Sequence, residues 1–356
     1  VRDKIPVFSL DASYLAAPGI GYIKLNRFGE KTPQEFEDAW ISLKEQGAQN
    51  LILDLQGNSG GYLGAAVALA DEFLTSEQLV VYTEGIHSAR REYRASGKGN
   101  LDHGKLVVLI DEGSASASEI VAGAVQDWDR GLVVGRRSFG KGLVQNTFPL
   151  PDGSALRLTT ARYYTPSGRF IQSPYDKGTD AYYEDLAQRF EEGELTDSAM
   201  IHFPDSLTFK TQAGRKVYGG GGILPDIFVP LDTTFFSPFL NRVNGTGLSY
   251  QTTMEYIDRN RSELIKDYPD LATFKLSFDA EELLQKVVQK AKEKEIEISK
   301  EDLEKSKDWL KTALKAMTAQ SLFDRNAYFE IMQSQNETLK KAIDLLQGAW
   351  PKHIKS

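Results

Sequence analysis

Between about residues 20 and 165, short β-branched and aliphatic runs alternate with stretches whose apolar positions recur every three or four residues, the pattern of an α/β layered domain. Gly21-Tyr22-Ile23-Lys24-Leu25 reads as a strand. Thr32-Pro33-Gln34-Glu35 combines an N-cap Thr, a Pro at the first helical position and a Glu at the capping-box spacing, which predicts a helix to about Gln46, stopped at Gly47. A strand at 51–55, a loop Gln56-Gly57-Asn58-Ser59-Gly60-Gly61 and an Ala-rich helix at about 63–74 follow. Further strands are predicted at 79–83 and 106–110. A helix carrying Ile120, Val121, Ala124 and Val125 leads from there to a strand at 132–135. Runs 143–148 and 155–164 read as two strands joined by the turn Pro151-Asp152-Gly153. The order of these elements is a series of β–β–α steps.

From about 173 to 218 the periodicity fades and acidic and aromatic residues accumulate, which predicts an insertion packed over the core. Four glycines, Gly219 to Gly222, then bring the chain back in extended form through Ile223-Leu224-Pro225-Asp226. Beyond about Phe236, Leu283, Leu284, Val287, Val288 and Ala291 recur at helical spacing, as do Leu303, Leu310, Leu314 and Met317. The expected organisation is a core over 1–235, with the insertion at about 173–218, and a helical module over 236–356.

Composition narrows the function classes. The 356 residues are 41% apolar and 26% charged, enough to bury a core and unlike a disordered or fibrous chain. The formal charge of -8 argues against a nucleic-acid partner, which needs a concentrated Lys/Arg surface. There is no cysteine, so disulfides, thiolate metal sites and thiol nucleophiles are out, and the four histidines show no pair at metal-ligand spacing. Apolar runs such as 106–110 are strand-sized, far below the roughly 20 residues of a membrane-spanning helix. Val1-Arg2-Asp3-Lys4 has no leader character and runs directly into a strand-like segment, so the expectation is a sequence that starts after processing or within a longer protein.

Two places carry candidate chemistry. The strand at 106–110 ends in small residues and re-emerges as a helix, so Ser116 lies at a corner where a hydroxyl projects and unpaired amides at the helix start offer an oxyanion site. Ser116-Ala117-Ser118-Glu119 equally fits a capping box, in which Ser116 serves only the helix end. Lys141, in Ser138-Phe139-Gly140-Lys141-Gly142, lies between apolar runs. Such surroundings disfavour a charged amine and would leave a base able to serve Ser116; the alternative is a surface lysine in a Gly-rich turn. Residues 135–142 also come close to the phosphate-binding loop Gly-x-x-x-x-Gly-Lys followed by Ser or Thr. Gly142 replaces the hydroxyl residue, however, and the chain continues as a strand where that loop must open a helix. A Ser-His-Asp triad has no recognisable histidine motif.

Over about residues 15–230 the chain resembles the C-terminal-processing peptidases, or tail-specific proteases. The resemblance rests on five blocks in the family's order. They are Asp54-Leu55-Gln56-Gly57-Asn58-Ser59-Gly60-Gly61; Gly113-Ser114-Ala115-Ser116-Ala117-Ser118-Glu119-Ile120; Ser138-Phe139-Gly140-Lys141-Gly142 with Gln145; Ala161-Arg162-Tyr163-Tyr164-Thr165-Pro166; and Gly222-Ile223-Leu224-Pro225-Asp226. The resemblance implies a ClpP/crotonase-like stack of β–β–α units followed by the helical module. It implies a serine endopeptidase with Ser116 as nucleophile and Lys141, 25 positions later, as general base. Gln145 would help orient the lysine, and the backbone amides of Gly61 and Ala117 would hold the oxyanion, leaving Ser114 and Ser118 to packing or capping. No cofactor and no metal are implied. The partners would be protein or peptide substrates bound by their C-terminal regions. The setting would be a bacterial periplasm or cell envelope, with the C-terminal helices open to homo-oligomers or an adaptor.

Two departures qualify the expectation. Gln56 stands where the family usually has Arg. The family's PDZ domain is not found, and Val1-Arg2-Asp3-Lys4-Ile5-Pro6 resembles the stretch that follows it, so a chain beginning downstream of substrate recognition is expected. The rival function is a non-catalytic protein that binds small hydrophobic ligands on the same fold; retention of both Ser116 and Lys141 argues against it.

Overall fold

The computed structural model describes residues 8–101, 103–174 and 178–355. The readings placed on Val1 to Pro6 lie outside the described residues. The chain divides into two compact units, Val1–Leu231 with Lys341–Ser356, and Asp232–Lys340.

The first unit opens with an antiparallel pair, β1 (Leu10–Ala17) and β2 (Ile20–Leu25), turning at Gly19. Helix α1 (Thr32–Glu45) follows. Its start differs from the expected capping box: Lys31 is the N-cap, without a side-chain cap. Thr32 Oγ1 instead accepts from the Gly29 amide at 2.8 Å, and the Glu35 carboxylate accepts from the amides of Ser9 (2.7 Å) and Leu10 (3.1 Å). The capping side chains thus tie β1 to the helix. Next come β3 (Asn50–Asp54), α2 (Leu63–Asp71), β4 (Leu79–Gly85), β5 (Ser88–Arg94) and β6 (Leu106–Ile110). After them lie α3 (Ala117–Asp127), β7 (Leu132–Gly135), β8 (Leu143–Pro149) and β9 (Ala155–Tyr164). The region expected as an insertion contains α4 (Thr179–Glu191) and a small hairpin, β10 (Thr208–Lys210) with β11 (Lys216–Tyr218); β12 (Ile227–Phe228) follows it.

This topology corrects the expectation of a ClpP/crotonase-like stack of repeated β–β–α units. One six-stranded sheet, in the order β1-β2-β3-β6-β7-β12, is parallel from β2 onward, and only β1 joins it antiparallel. Here α1 connects β2 to β3 and α3 connects β6 to β7 as β–α–β crossovers, the connection that neighbouring parallel strands require. Strands β4, β5, β8 and β9 leave that series and form their own antiparallel sheet, β5-β4-β9-β8. The fold is mixed α/β with several sheets, without a repeating unit. Ile23, Leu53, Val108 and Val133 from adjacent parallel strands are fully buried with Phe73 and Val121 in one core.

The second unit is helical: α5 (Pro238–Gly245), α6 (Leu248–Asp267), α7 (Leu271–Ser277), α8 (Glu281–Glu293), α9 (Lys300–Leu322) and α10 (Arg325–Met332). Side-chain caps from Ser237, Asp270, Ser299 and Asp324 start four of them. The periodic positions Leu283, Leu284, Val287, Leu310 and Leu314 form its core with Phe239 and Phe274. A last helix, α11 (Glu337–Gln347), follows. Among the described residues no helix is long and apolar enough to cross a membrane.

Candidate active site

Strands β3, β6 and β7 are neighbours and parallel, so the loops after them leave the same edge of the sheet, the edge where open parallel sheets place their ligands. Those loops carry Gly61, Ser116 and Lys141 respectively.

The first two are locked together. Ala115 donates its amide to the Asn58 carbonyl (3.0 Å), and Ser118 Oγ donates to the same oxygen (2.8 Å). Ser114 Oγ donates to the Leu55 carbonyl (2.8 Å), and the fully buried Asn58 side chain holds the Leu25 carbonyl and the Gly60 amide. Gly60 takes φ +98°, and a Cβ there would lie 2.8 Å from Ser116 Cβ and 2.9 Å from the Ala117 nitrogen. Only glycine lets this backbone come so close to the serine. Asp111 braces the corner by accepting from the amides of Gly57 (2.8 Å) and Gly113 (3.0 Å), and burial is the main influence pushing its carboxyl above the ordinary range.

Ser116 is the N-cap of α3, at φ 55° and ψ −110°, a conformation an L-residue adopts only under strain from its surroundings. The amide of Gly61 is held open by its backbone: Phe28 bonds to Gly60 and Tyr62 on either side of it. Ala117, at the first turn of α3, has no helical acceptor for its N–H. Among the described residues neither of these two amides donates a hydrogen bond.

Two buried side chains then join Ser116 to Lys141. One oxygen of Glu119, Oε2, accepts from the amides of Ser116 (2.8 Å) and Lys141 (2.9 Å). The other, Oε1, accepts from Ser138 Oγ (2.5 Å) and the Gly140 amide (2.8 Å). Ser138 Oγ in turn accepts from the Ile223 amide (2.6 Å), which ties in the irregular segment between the glycines and β12. Burial pushes the Glu119 carboxyl up, against the pull of those four hydrogen bonds. From the far side the Tyr163 hydroxyl lies against two carbonyls and shares its one proton between that of Lys141, the shorter contact, and that of Ser116 (3.1 Å). Lys141 is half-buried, and among the described residues its amine forms no ion pair.

Of the residues singled out in the sequence, Gly61, Ser116, Ala117 and Lys141 meet at this edge. Gln145 does not join them: it is exposed on β8, paired with Thr159 just past a bulge at Thr160 of β9, and among the described residues has no hydrogen bond to Lys141. Sequence reasoning gave Glu119 only a capping role and Tyr163 none. The Ser-x-x-Glu spacing was a signal for the first; nothing local marks a tyrosine 22 residues beyond Lys141 as its partner.

Residues 19–180 match the model of Peptidase family S41, and residues 239–324 match a family of unknown function, DUF8443. The carboxyl-terminal-processing protease of Synechocystis sp. is 44% identical over 147 residues, covering 41% of this chain and 34% of that protein. The carboxy-terminal-processing protease of Bartonella bacilliformis is 41% identical over 179 residues, 48% of this chain and 40% of that one. The chain therefore spans little more than a third of the length of the curated relatives it matches. Among solved structures, the photosystem II D1 C-terminal processing protease is 35% identical with a TM-score of 0.40, over 47% of this chain and 46% of that one.

Proposed function

We propose, from the premise that residues 19–180 belong to peptidase family S41, that this chain is a serine endopeptidase that hydrolyses peptide bonds near protein C-termini. The observation that carries the reading is the double clamp, in which Glu119 and Tyr163 each bind the backbone of both Ser116 and Lys141. In the reaction, Lys141 as general base takes the proton of Ser116 Oγ as the oxygen attacks the scissile carbonyl. The amides of Gly61 and Ala117 receive the oxyanion. The protonated lysine gives its proton to the leaving amine, and an acyl-Ser116 ester remains. Water, deprotonated by the same lysine, hydrolyses that ester and restores the serine.

The substrates are proteins or peptides processed at their C-terminal ends, the event the relatives' names describe, and an apolar tail is part of the proposal. The same reading assigns the chemistry to a core over 1–235 and leaves the helical module, 236–356, to self-association or an adaptor. It also assigns the protein to the periplasm or cell envelope of a bacterium, a setting compatible with a chain that lacks cysteine.

The test is cleavage of an unstructured reporter with an apolar tail by the wild type, Ser116→Ala and Lys141→Ala, with mass spectrometry for the Ser116 acyl-enzyme. Cutting by the wild type alone is expected. Full activity in either variant, or acylation at another residue, would sink the assignment.

A further inference from the structure

Next to the glycine loop lies a cavity of about 390 Å³ lined by Glu30, Pro33, Tyr62, Gly64 and Ala65, a volume in the range of small-ligand pockets. Its walls come from the start of α1 and the start of α2, and its surface is mainly apolar apart from the carboxylate of exposed Glu30. Tyr62 contributes an aromatic ring that is 67% exposed although it sits beside the pocket. Large aromatic side chains left open over a concave apolar surface mark binding sites more often than they mark ordinary surface.

Position ties the cavity to the site. Gly60 packs against Ser116 Cβ, Gly61 carries one of the two open amides, and Tyr62 is the next residue. Two residues of extended chain span at most roughly 7 Å, about the reach of one or two residues of a bound peptide. A peptide whose carbonyl oxygen meets the Gly61 amide therefore passes the mouth of this cavity with a neighbouring side chain.

We infer that the cavity formed by Tyr62, Pro33, Gly64 and Ala65 is a specificity pocket that takes one large apolar side chain of the peptide substrate beside the cleaved bond. The inference rests on the peptidase reading and adds to it the residues that select the substrate. Gly64 sets the depth of the pocket. A Cβ at Gly64 would meet no atom within 4 Å, and the residue lies inside α2 with an ordinary helical backbone. A larger side chain there fills the cavity without displacing the fold, and replacing glycine within a helix favours the helix.

The experiment uses the full chain carrying Ser116→Ala, so that binding is read without turnover, and labelled unstructured peptides that differ at one position, Leu, Phe, Lys or Ala. Fluorescence anisotropy is expected to show tighter binding of the Leu and Phe peptides than of the Ala peptide. Adding Gly64→Leu should weaken Leu and Phe binding by about 10–200-fold, the discrimination a filled apolar pocket gives, and leave the Ala peptide unchanged. Tyr62→Ala should reduce the same preference, with an unchanged melting temperature as the control for folding. An equal effect of Gly64→Leu on all peptides, no effect on any, no preference for Leu and Phe over Ala, or a preference for Lys would overturn the inference. A wild type that binds with the expected selectivity yet cuts nothing would count against the peptidase reading alone.

Discussion

Glu119→Gln puts the clamp under the sharpest test, because the change keeps the shape of the side chain and removes only its charge and one acceptor. The carboxylate has four donors around it and accepts from all of them. Glutamine can keep its carbonyl oxygen on the amides of Ser116 and Lys141, which turns two charge-assisted bonds into neutral ones at a loss of about 1 kcal/mol each. Its NH2 then faces Ser138 Oγ and the Gly140 amide. The serine can adapt, since its oxygen has a lone pair left after accepting from Ile223. The Gly140 N–H cannot, and losing its buried carboxylate acceptor costs about 1–3 kcal/mol. Relief from burying a charge offsets part of this, leaving a net loss of about 2–4 kcal/mol. For a unit of this size that lowers the melting temperature by roughly 5–15 °C.

The pH dependence carries its own sign. Burial raises the Glu119 carboxyl in the folded protein, so the folded state binds that proton more tightly than the unfolded chain does. The stability linked to it is fully present below the ordinary glutamate range and is lost as the pH rises through the raised value. The difference in stability between wild type and Glu119→Gln should therefore narrow with rising pH across that window. Circular-dichroism melts of both proteins in a series of buffers give the comparison. A variant within about 0.5 kcal/mol of wild type, or a difference that widens with pH, would refute the reasoning.

Two further outcomes follow from the same geometry. Tyr163→Phe keeps a buried ring but removes the hydroxyl that joins the Ser116 and Lys141 carbonyls. Its kcat should fall about 10–100-fold, the effect of a small misplacement of reacting groups, with KM unchanged and a stability loss of only about 1 kcal/mol; kinetics in which KM rises at constant kcat would show that the hydroxyl does not position the pair. Arg169→Met should destabilise the protein by about 3–5 kcal/mol, because it strands Asp127, whose carboxylate meets the fully buried guanidinium at 2.6 Å. Denaturant unfolding should show that loss and show it partly recovered in Arg169→Met with Asp127→Leu, which removes the stranded charge but also takes the acceptor of the Ser167 amide.

The elements with strong periodicity were legible in the sequence to within a few residues, and 106–110, 132–135 and 155–164 match their strands end to end. Strand β5 was not, because Ser-Ala-Arg-Arg-Glu-Tyr-Arg is largely exposed and presents no apolar alternation. The stacking of the units was misread for a related reason. Alternation says which face of a strand is buried but not which strand is its neighbour, so β4, β5, β8 and β9 could not be told apart from members of the main sheet. At the site, Ser116 and Lys141 stood out through small-residue and glycine-rich motifs, which mark sharp turns locally. The roles of Glu119 and Tyr163 depend on contacts with residues up to 47 positions away, which no local pattern encodes.

The first unit is discontinuous: its last sixteen residues return after the helical unit has been completed. They bring Ala342, Leu346 and Ile354 into burial, the Lys105 amine donates to the Leu346 carbonyl across 241 residues, and the Lys355 amide donates to the Asp129 carbonyl. Closing a flexible loop of that length costs about 5 kcal/mol in chain entropy. If Asp232–Lys340 folds first, fewer free residues lie between the two pieces and the cost falls. On the ribosome, then, the unit that holds Ser116 stays unfinished while Asp232–Lys340 is being made, and its two pieces join only after the helical unit between them has emerged.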